Sequence, residues 1–103
     1  MKEINQKDYD SKIVNKENAI IQFSASWCGP CRTLSPVLES IATENNLSVF
    51  KVDISENSQF AQDKGIYSIP YVELIKDGQV IEKFTGMMPK NKIEELTTNV
   101  YKT

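Results

Sequence analysis

The sequence predicts an α/β domain in which parallel strands joined by helical crossovers are followed by an antiparallel hairpin and a closing helix. Three observations carry this. The run Ala19-Ile20-Ile21-Gln22-Phe23 is almost continuously apolar and β-prone, as expected of a strand covered on both faces. Helical periodicity follows it from Arg32 to Asn45 and returns after Pro89. Between these, Asp77-Gly78 is a strong two-residue hairpin signal joining Tyr71–Ile75 to Gln79–Phe84.

Taken in order, Lys2–Ile4 is a short edge strand. Asn5 caps a helix reaching about Val14, with Tyr9 and Ile13 four apart on one face. Asn15–Asn18 is a polar loop, and Ala19–Ser24 is the buried strand. The next helix runs from about Cys31 to Asn45, with Leu34, Val37, Leu38 and Ile41 as its core stripe. Pro36 lies inside it and should kink it. Ser48–Asp53 is a further strand. Ser55 or Asn57 caps a short helix ending at Lys64, where Gly65 is the stop. After the hairpin, Gly86 breaks the chain. Pro89 opens a last helix, and Ile93, Leu96 and Val100 form its stripe.

The 103 residues are expected to form a single domain, 1–103, large enough to bury an ordinary core. The net charge is −2, and no cluster of lysine and arginine is long enough to suggest nucleic acid or an anionic membrane as a partner. The N-terminus Met1-Lys2-Glu3-Ile4-Asn5-Gln6-Lys7 lacks an apolar run and a small-residue cleavage site, which predicts a cytoplasmic location. Stable disulfides are rare in that compartment, so a cysteine pair there points to catalysis.

Both cysteines stand in Trp27-Cys28-Gly29-Pro30-Cys31, two residues apart, where a strand turns into the start of a helix. One turn of backbone brings the two sulfurs within bonding reach. The pair can then act as a two-electron switch between dithiol and disulfide, and the helix start favours a thiolate. Other uses of the pair are weaker. Structural zinc takes about four ligands, and two cysteines in a chain without histidine cannot supply them. A structural disulfide would close only a tiny loop and constrain the unfolded chain little. Inert core thiols would not ordinarily be flanked by Gly-Pro and a tryptophan. The lack of histidine also removes the commonest general base.

Over almost its whole length the chain resembles the thioredoxin family. Trp-Cys-Gly-Pro-Cys matches that family's active-site motif. Ser68-Ile69-Pro70 matches the loop that carries a cis-proline opposite the disulfide. Lys76-Asp77-Gly78 and Phe84-Thr85-Gly86 match its hairpin and the glycine after it. The resemblance implies a five-stranded mixed sheet in the order 1-3-2-4-5 flanked by four helices, and a general protein-disulfide reductase. Cys28 would attack a disulfide in a partner protein to form a mixed disulfide. Cys31 would then attack Cys28 and release the reduced partner. Gly29 and Pro30 hold the turn and offer no charge that would favour the reduced pair, in keeping with a reductant. Trp27, Ile69, Pro70, Gly86 and Met87 would contact the partner, the proline loop pairing with an extended segment of it. Plain core or loop hydrophobes are the alternative for Trp27, Ile69 and Met87.

The chain departs from the family pattern in three places. Gln22 stands where a buried aspartate usually serves the resolving thiol. Lys51 matches the lysine that commonly pairs with that aspartate and so lacks its usual partner. Ser24 occupies a position where a second tryptophan is frequent. Glu73 is also odd within the apolar strand Tyr71-Val72-Glu73-Leu74-Ile75. It is expected at the sheet end with its head in water, the other reading being a replacement for the missing carboxylate. No cofactor and no metal are expected. The expected partners are disulfide-containing proteins and a separate reductase, since the chain has no Gly-rich dinucleotide motif; a monomer is expected. Two rival functions remain, a reductant dedicated to one partner and a binding subunit that uses the same surface for docking.

Overall fold

A computed structural model describes residues 1–102. Among them five strands and four helices follow one another: β1 (Lys2–Glu3), α1 (Gln6–Val14), β2 (Ala19–Ser24), α2 (Gly29–Glu44), β3 (Ser48–Asp53), α3 (Ser58–Asp63), β4 (Tyr71–Lys76), β5 (Gln79–Thr85) and α4 (Lys90–Tyr101). The sheet order is β1-β3-β2-β4-β5. The first three neighbours are parallel, while β4 runs antiparallel to β2 and β5 antiparallel to β4. This is the mixed sheet that the resemblance implied.

Strand alternation divides the interior into two layers. Ala19, Ile21 and Phe23 of β2 face α1 and α3, where they meet Tyr9, Phe60, Ala61 and Ile75. Ile20 faces the other side, with Leu34, Leu38 and Ile41 of α2, Val72 and Leu74 of β4, and Ile93 and Val100 of α4. Every residue of β2 is buried, which accounts for its near-continuous apolar sequence. Each fully buried leucine or isoleucine contributes about 2 kcal/mol over its exposed state.

Several helix ends differ in detail from the sequence expectation. α1 carries the foreseen cap: Asn5 accepts from the Asp8 N–H, and Asp8 returns the bond to the Asn5 N–H. α2 begins at Gly29, two residues earlier than expected, because a proline in the first turn removes only an N–H that has no intrahelical partner. The helix runs on through Pro36, which is exposed. Asn57 holds the cap position of α3 without capping it. Its side chain accepts instead from the Gln6 N–H and donates to the Asp53 carbonyl, joining the loop to the start of α1. Pro89 is the residue before α4 rather than its first member.

The hairpin turn has positive φ at both Asp77 (53°) and Gly78 (75°), as the two-residue signal required. Gly78 is also needed for space, since a Cβ there would run into the Ile13 carbonyl. The turn is seated on the loop between α1 and β2: the Gly78 N–H donates to the Glu17 carbonyl at 3.1 Å and the Asp77 N–H to Asn18 Oδ1 at 2.7 Å. Near that end of the sheet the Tyr101 hydroxyl lies 2.8 Å from the Ile75 carbonyl and 3.1 Å from that of Ala19, fastening α4 to β4 and β2.

Candidate functional site

The site lies where β2 ends. Register places Phe23 beside Tyr71, Tyr71 beside Thr85, and Ser24 beside Asp53. The segments after β2, before β4 and after β5 and the last residue of β3 therefore meet at one end of the sheet. They contribute Trp27–Cys31, Ile69–Pro70, Gly86–Met87 and Asp53 respectively.

Cys28 and Cys31 are joined as a disulfide with their Cα atoms 5.3 Å apart. Cys28 is the N-cap of α2, and its Sγ accepts from the Cys31 N–H at 3.2 Å. A sulfur in this position receives one of the N–H groups that the first helical turn leaves without partners, at the positive end of the helix dipole. Both cysteines are buried, Cys28 at 5 % exposure and Cys31 at 2 %. What separates them is thus less their exposure than the hydrogen bond that reaches only Cys28. The turn before the pair is held by Cys28 N–H donating to the Ala25 carbonyl at 3.0 Å and Arg32 Nη1 donating to the Ser26 carbonyl at 2.8 Å. It presents Trp27 to solvent at 68 % exposure. Gly29 is half-buried and Pro30 is exposed.

The Ile69–Pro70 bond is cis, as the resemblance implied. Pro70 is buried, and its carbonyl accepts from the Gly86 N–H at 2.7 Å, tying the proline loop to the glycine loop. Gly86 has φ of 85°, a conformation that favours glycine. Met87 is 53 % exposed, whereas Ile69 packs partly into the aromatic layer. Tyr67, 86 % exposed in the same loop, is a further surface residue here that the sequence analysis does not single out. A large aromatic three residues before the proline was the available signal.

Gln22 is fully buried on the α2 face of the sheet. Its Nε2 donates to the Cys31 carbonyl at 3.0 Å, which fixes the amide orientation. The Ser35 hydroxyl lies 2.7 Å from Gln22 Oε1 and 2.9 Å from the Cys31 carbonyl, and its single proton serves one or the other. A neutral clamp on the backbone of Cys31 therefore occupies the place that the family pattern gives to a carboxylate. Ser35 was missed in the sequence, although it follows Cys31 by one helical turn and so shares its face. Lys51 is the cross-strand neighbour of Gln22 and forms no ion pair among the described residues. It lines, with Ser24, Cys31, Ser35 and Asp53, a polar cavity of about 300 Å³.

Replacing Gln22 by aspartate is expected to destabilise the oxidised protein near neutral pH. A buried carboxylate resists ionisation, so its folded pKa rises above the unfolded value of about 3.9. The penalty is small below that value, grows as pH rises toward the folded pKa and is complete above it. Each unit of elevation costs about 1.4 kcal/mol. The added negative charge also opposes thiolate formation at Cys28, so the pair becomes more reducing. Denaturant melts across pH and a redox titration check both effects. Unchanged stability together with an unchanged potential would place residue 22 in solvent.

Glu73 contradicts the expectation of a head in water. Alternation puts it in the α1/α3 layer, on the opposite face from Gln22, and it is 1 % exposed. Its carboxylate forms an ion pair with Lys64 at 2.8 Å and accepts a hydrogen bond from the Tyr9 hydroxyl. Burial, and next the adjoining carboxylate, push the Tyr9 phenol far above its ordinary pKa, so it stays a donor. Lys64 Nζ also lies over the rings of Tyr9, Phe23 and Phe60. These partners supply the desolvated carboxylate with the charge and donors that burial requires. The placement also overturns the alternative reading of Glu73 as a replacement carboxylate at the sulfurs.

The family model described as Thioredoxin matches residues 1–99. Thioredoxin of Chlorobaculum thiosulfatiphilum is 38% identical over 94 residues, covering 88% of this chain and 87% of that protein. Thioredoxin of Staphylococcus aureus is 36% identical over 95 residues, covering 90% of each. Among solved structures, a mutant thioredoxin from Halobacterium salinarum superimposes with a TM-score of 0.86 at 28% identity, covering 97% of this chain and 89% of the other.

Proposed function

The chain belongs to the thioredoxin family and is a protein-disulfide reductase acting on disulfide-containing proteins; from that premise we propose a division of labour within its site. Cys28 is the attacking thiolate and Cys31 the resolving thiol. Attack of Cys28 on a partner disulfide breaks the partner's S–S bond, forms a mixed disulfide and releases one partner thiolate. Cys31 then loses its proton toward the polar cavity and attacks Cys28 Sγ. The Cys28–Cys31 bond forms, and the second partner thiolate leaves. The observation that carries this assignment is the cap geometry, in which the Cys31 N–H points at Cys28 Sγ.

Trp27, Tyr67 and Met87 form an exposed apolar rim for the partner, and Ile69–Pro70 offers it backbone. The Ile69 N–H and carbonyl have no backbone partner among the described residues, so an extended segment can pair with them. Gly29, Pro30 and Gly86 shape the turns, while Gln22 and Lys51 support Cys31 from the sheet. The 103 residues act as one domain and as a monomer in the cytoplasm, recharged by a separate reductase. No helix among the described residues is long and apolar enough to cross a membrane.

Alkylation of the reduced protein tests the roles. In a Cys31→Ser variant the remaining Cys28 is expected to react quickly at neutral pH. In Cys28→Ser the remaining Cys31 is expected to react slowly. Equal rates in the two variants would overturn the assignment.

A further inference from the structure

The buried Glu73–Lys64–Tyr9 cluster takes no part in the chemistry at the sulfurs, yet its position in the chain is informative. Lys64 is the C-cap of α3, and Glu73 is the third residue of β4. Between them runs the loop that carries Tyr67, Ile69 and Pro70. The 2.8 Å ion pair therefore joins the two ends of that loop, and the Tyr9 hydroxyl anchors the junction to α1.

We propose that the Lys64–Glu73 pair, together with Tyr9, is a clasp that fixes the proline loop in the shape a partner protein docks against, making these three positioning residues for partner binding. The proposal rests on the reading of Ile69–Pro70 as partner-binding residues.

Three observations support it. First, the other ties of the loop lie near its ends and leave its middle without hydrogen bonds. The Gly65 N–H donates to the Gln62 carbonyl, the Ile66 N–H to Ala61 and the Gly86 N–H to Pro70; the Ile66 side chain is buried in the aromatic layer, Ile69 packs partly on it, and Pro70 is buried. The N–H groups of Tyr67, Ser68 and Ile69 have no protein acceptor among the described residues. Second, a buried ion pair is a poor source of stability compared with an apolar side chain of similar volume, and its attested use is to select one geometry. The surroundings here are Phe23, Phe60 and Tyr71, where an apolar residue would pack readily. Third, the pairing is selective. Lys83 on β5 is the register neighbour of Glu73, yet the carboxylate pairs with Lys64, the lysine at the mouth of the loop.

The test uses a triple variant, Tyr9→Phe with Lys64→Met and Glu73→Leu, which leaves no unpartnered charge and so remains folded. An Ile69→Ala variant is measured beside it. Insulin serves as the protein disulfide, 5,5′-dithiobis(2-nitrobenzoate) as the small one, and dithiothreitol as the reductant. If the clasp keeps the loop competent, its loss lowers the competent fraction, and KM for insulin rises about fivefold. Meanwhile kcat, the midpoint potential and the kinetics with the small disulfide stay unchanged. Amide exchange at Ile66 and Gly86 speeds up about tenfold as the loop opens locally. An unchanged KM in the triple variant, with a raised KM in Ile69→Ala, overturns the proposal. If Ile69→Ala leaves KM unchanged, the partner-binding reading of the loop falls. The amides then decide the clasp: faster exchange upholds it as a loop fastener, and unchanged exchange overturns it.

Discussion

A Cys31→Ser variant is expected to accumulate partner proteins as stable mixed disulfides on Cys28 and to lose turnover by at least about a thousandfold. In the native protein the Cys31 sulfur sits one helical turn from Cys28, with the Cα atoms 5.3 Å apart. Oriented neighbours of this kind react as though present at about 10⁵ M or more. Serine cannot break the mixed disulfide, so release falls to external thiols at far lower concentration. Non-reducing electrophoresis should reveal the adducts, and mass spectrometry should map them to Cys28. A Cys28→Ser variant should trap little, because its remaining sulfur lacks the hydrogen bond that favours a thiolate. Retained turnover in Cys31→Ser, or adducts formed equally by both variants, would reverse or abolish the assigned roles.

The second large effect concerns stability. Glu73→Leu should cost about 3 kcal/mol, because it strands the Lys64 ammonium and the Tyr9 hydroxyl in a largely desolvated layer. The Lys64 side chain is 21% exposed, so solvent relieves only part of the loss. For a domain of this size the melting midpoint should fall by about 15 °C. The triple variant used above should recover most of this loss, since replacing a whole buried ionic cluster by apolar residues is often neutral. Denaturant unfolding of the two variants checks the pair of expectations. A Glu73→Leu protein as stable as the parent would mean that the carboxylate is solvated.

How far the sequence carried the structure depends on the range over which each interaction acts. The apolar run of β2, the stripe of α2 and the Asp77-Gly78 turn are local patterns, and each became the expected element. The cysteine pair was legible because its chemistry lies within a single turn of chain. Gln22 was placed near the sulfurs by family position, and its bond to the Cys31 carbonyl gives that placement a physical content. The start of α2 was misjudged because Gly29-Pro30 resembles a turn before a helix, although proline is equally at home in the first helical turn. Glu73 was misplaced for a different reason. Alternation assigns a strand residue to one face but does not say which layer that face meets. The partner that makes burial tolerable, Tyr9, lies 64 residues away in the chain. Asn57 is similar: its side chain serves Gln6, 51 residues distant, rather than the helix it precedes.

The chain has one tryptophan, and it is Trp27, exposed and next to Cys28. With no second indole in the chain, all tryptophan emission from this protein originates next to the cysteine pair. A disulfide accepts an electron from an excited indole more readily than a dithiol does, so the intensity follows the state of the pair. On the docking face proposed above, a bound partner would remove water from the ring and is expected to shift the emission wavelength. Trp27 is thus expected to serve as a label-free optical reporter, free of background from any other tryptophan, in which brightness follows electron transfer and colour follows association.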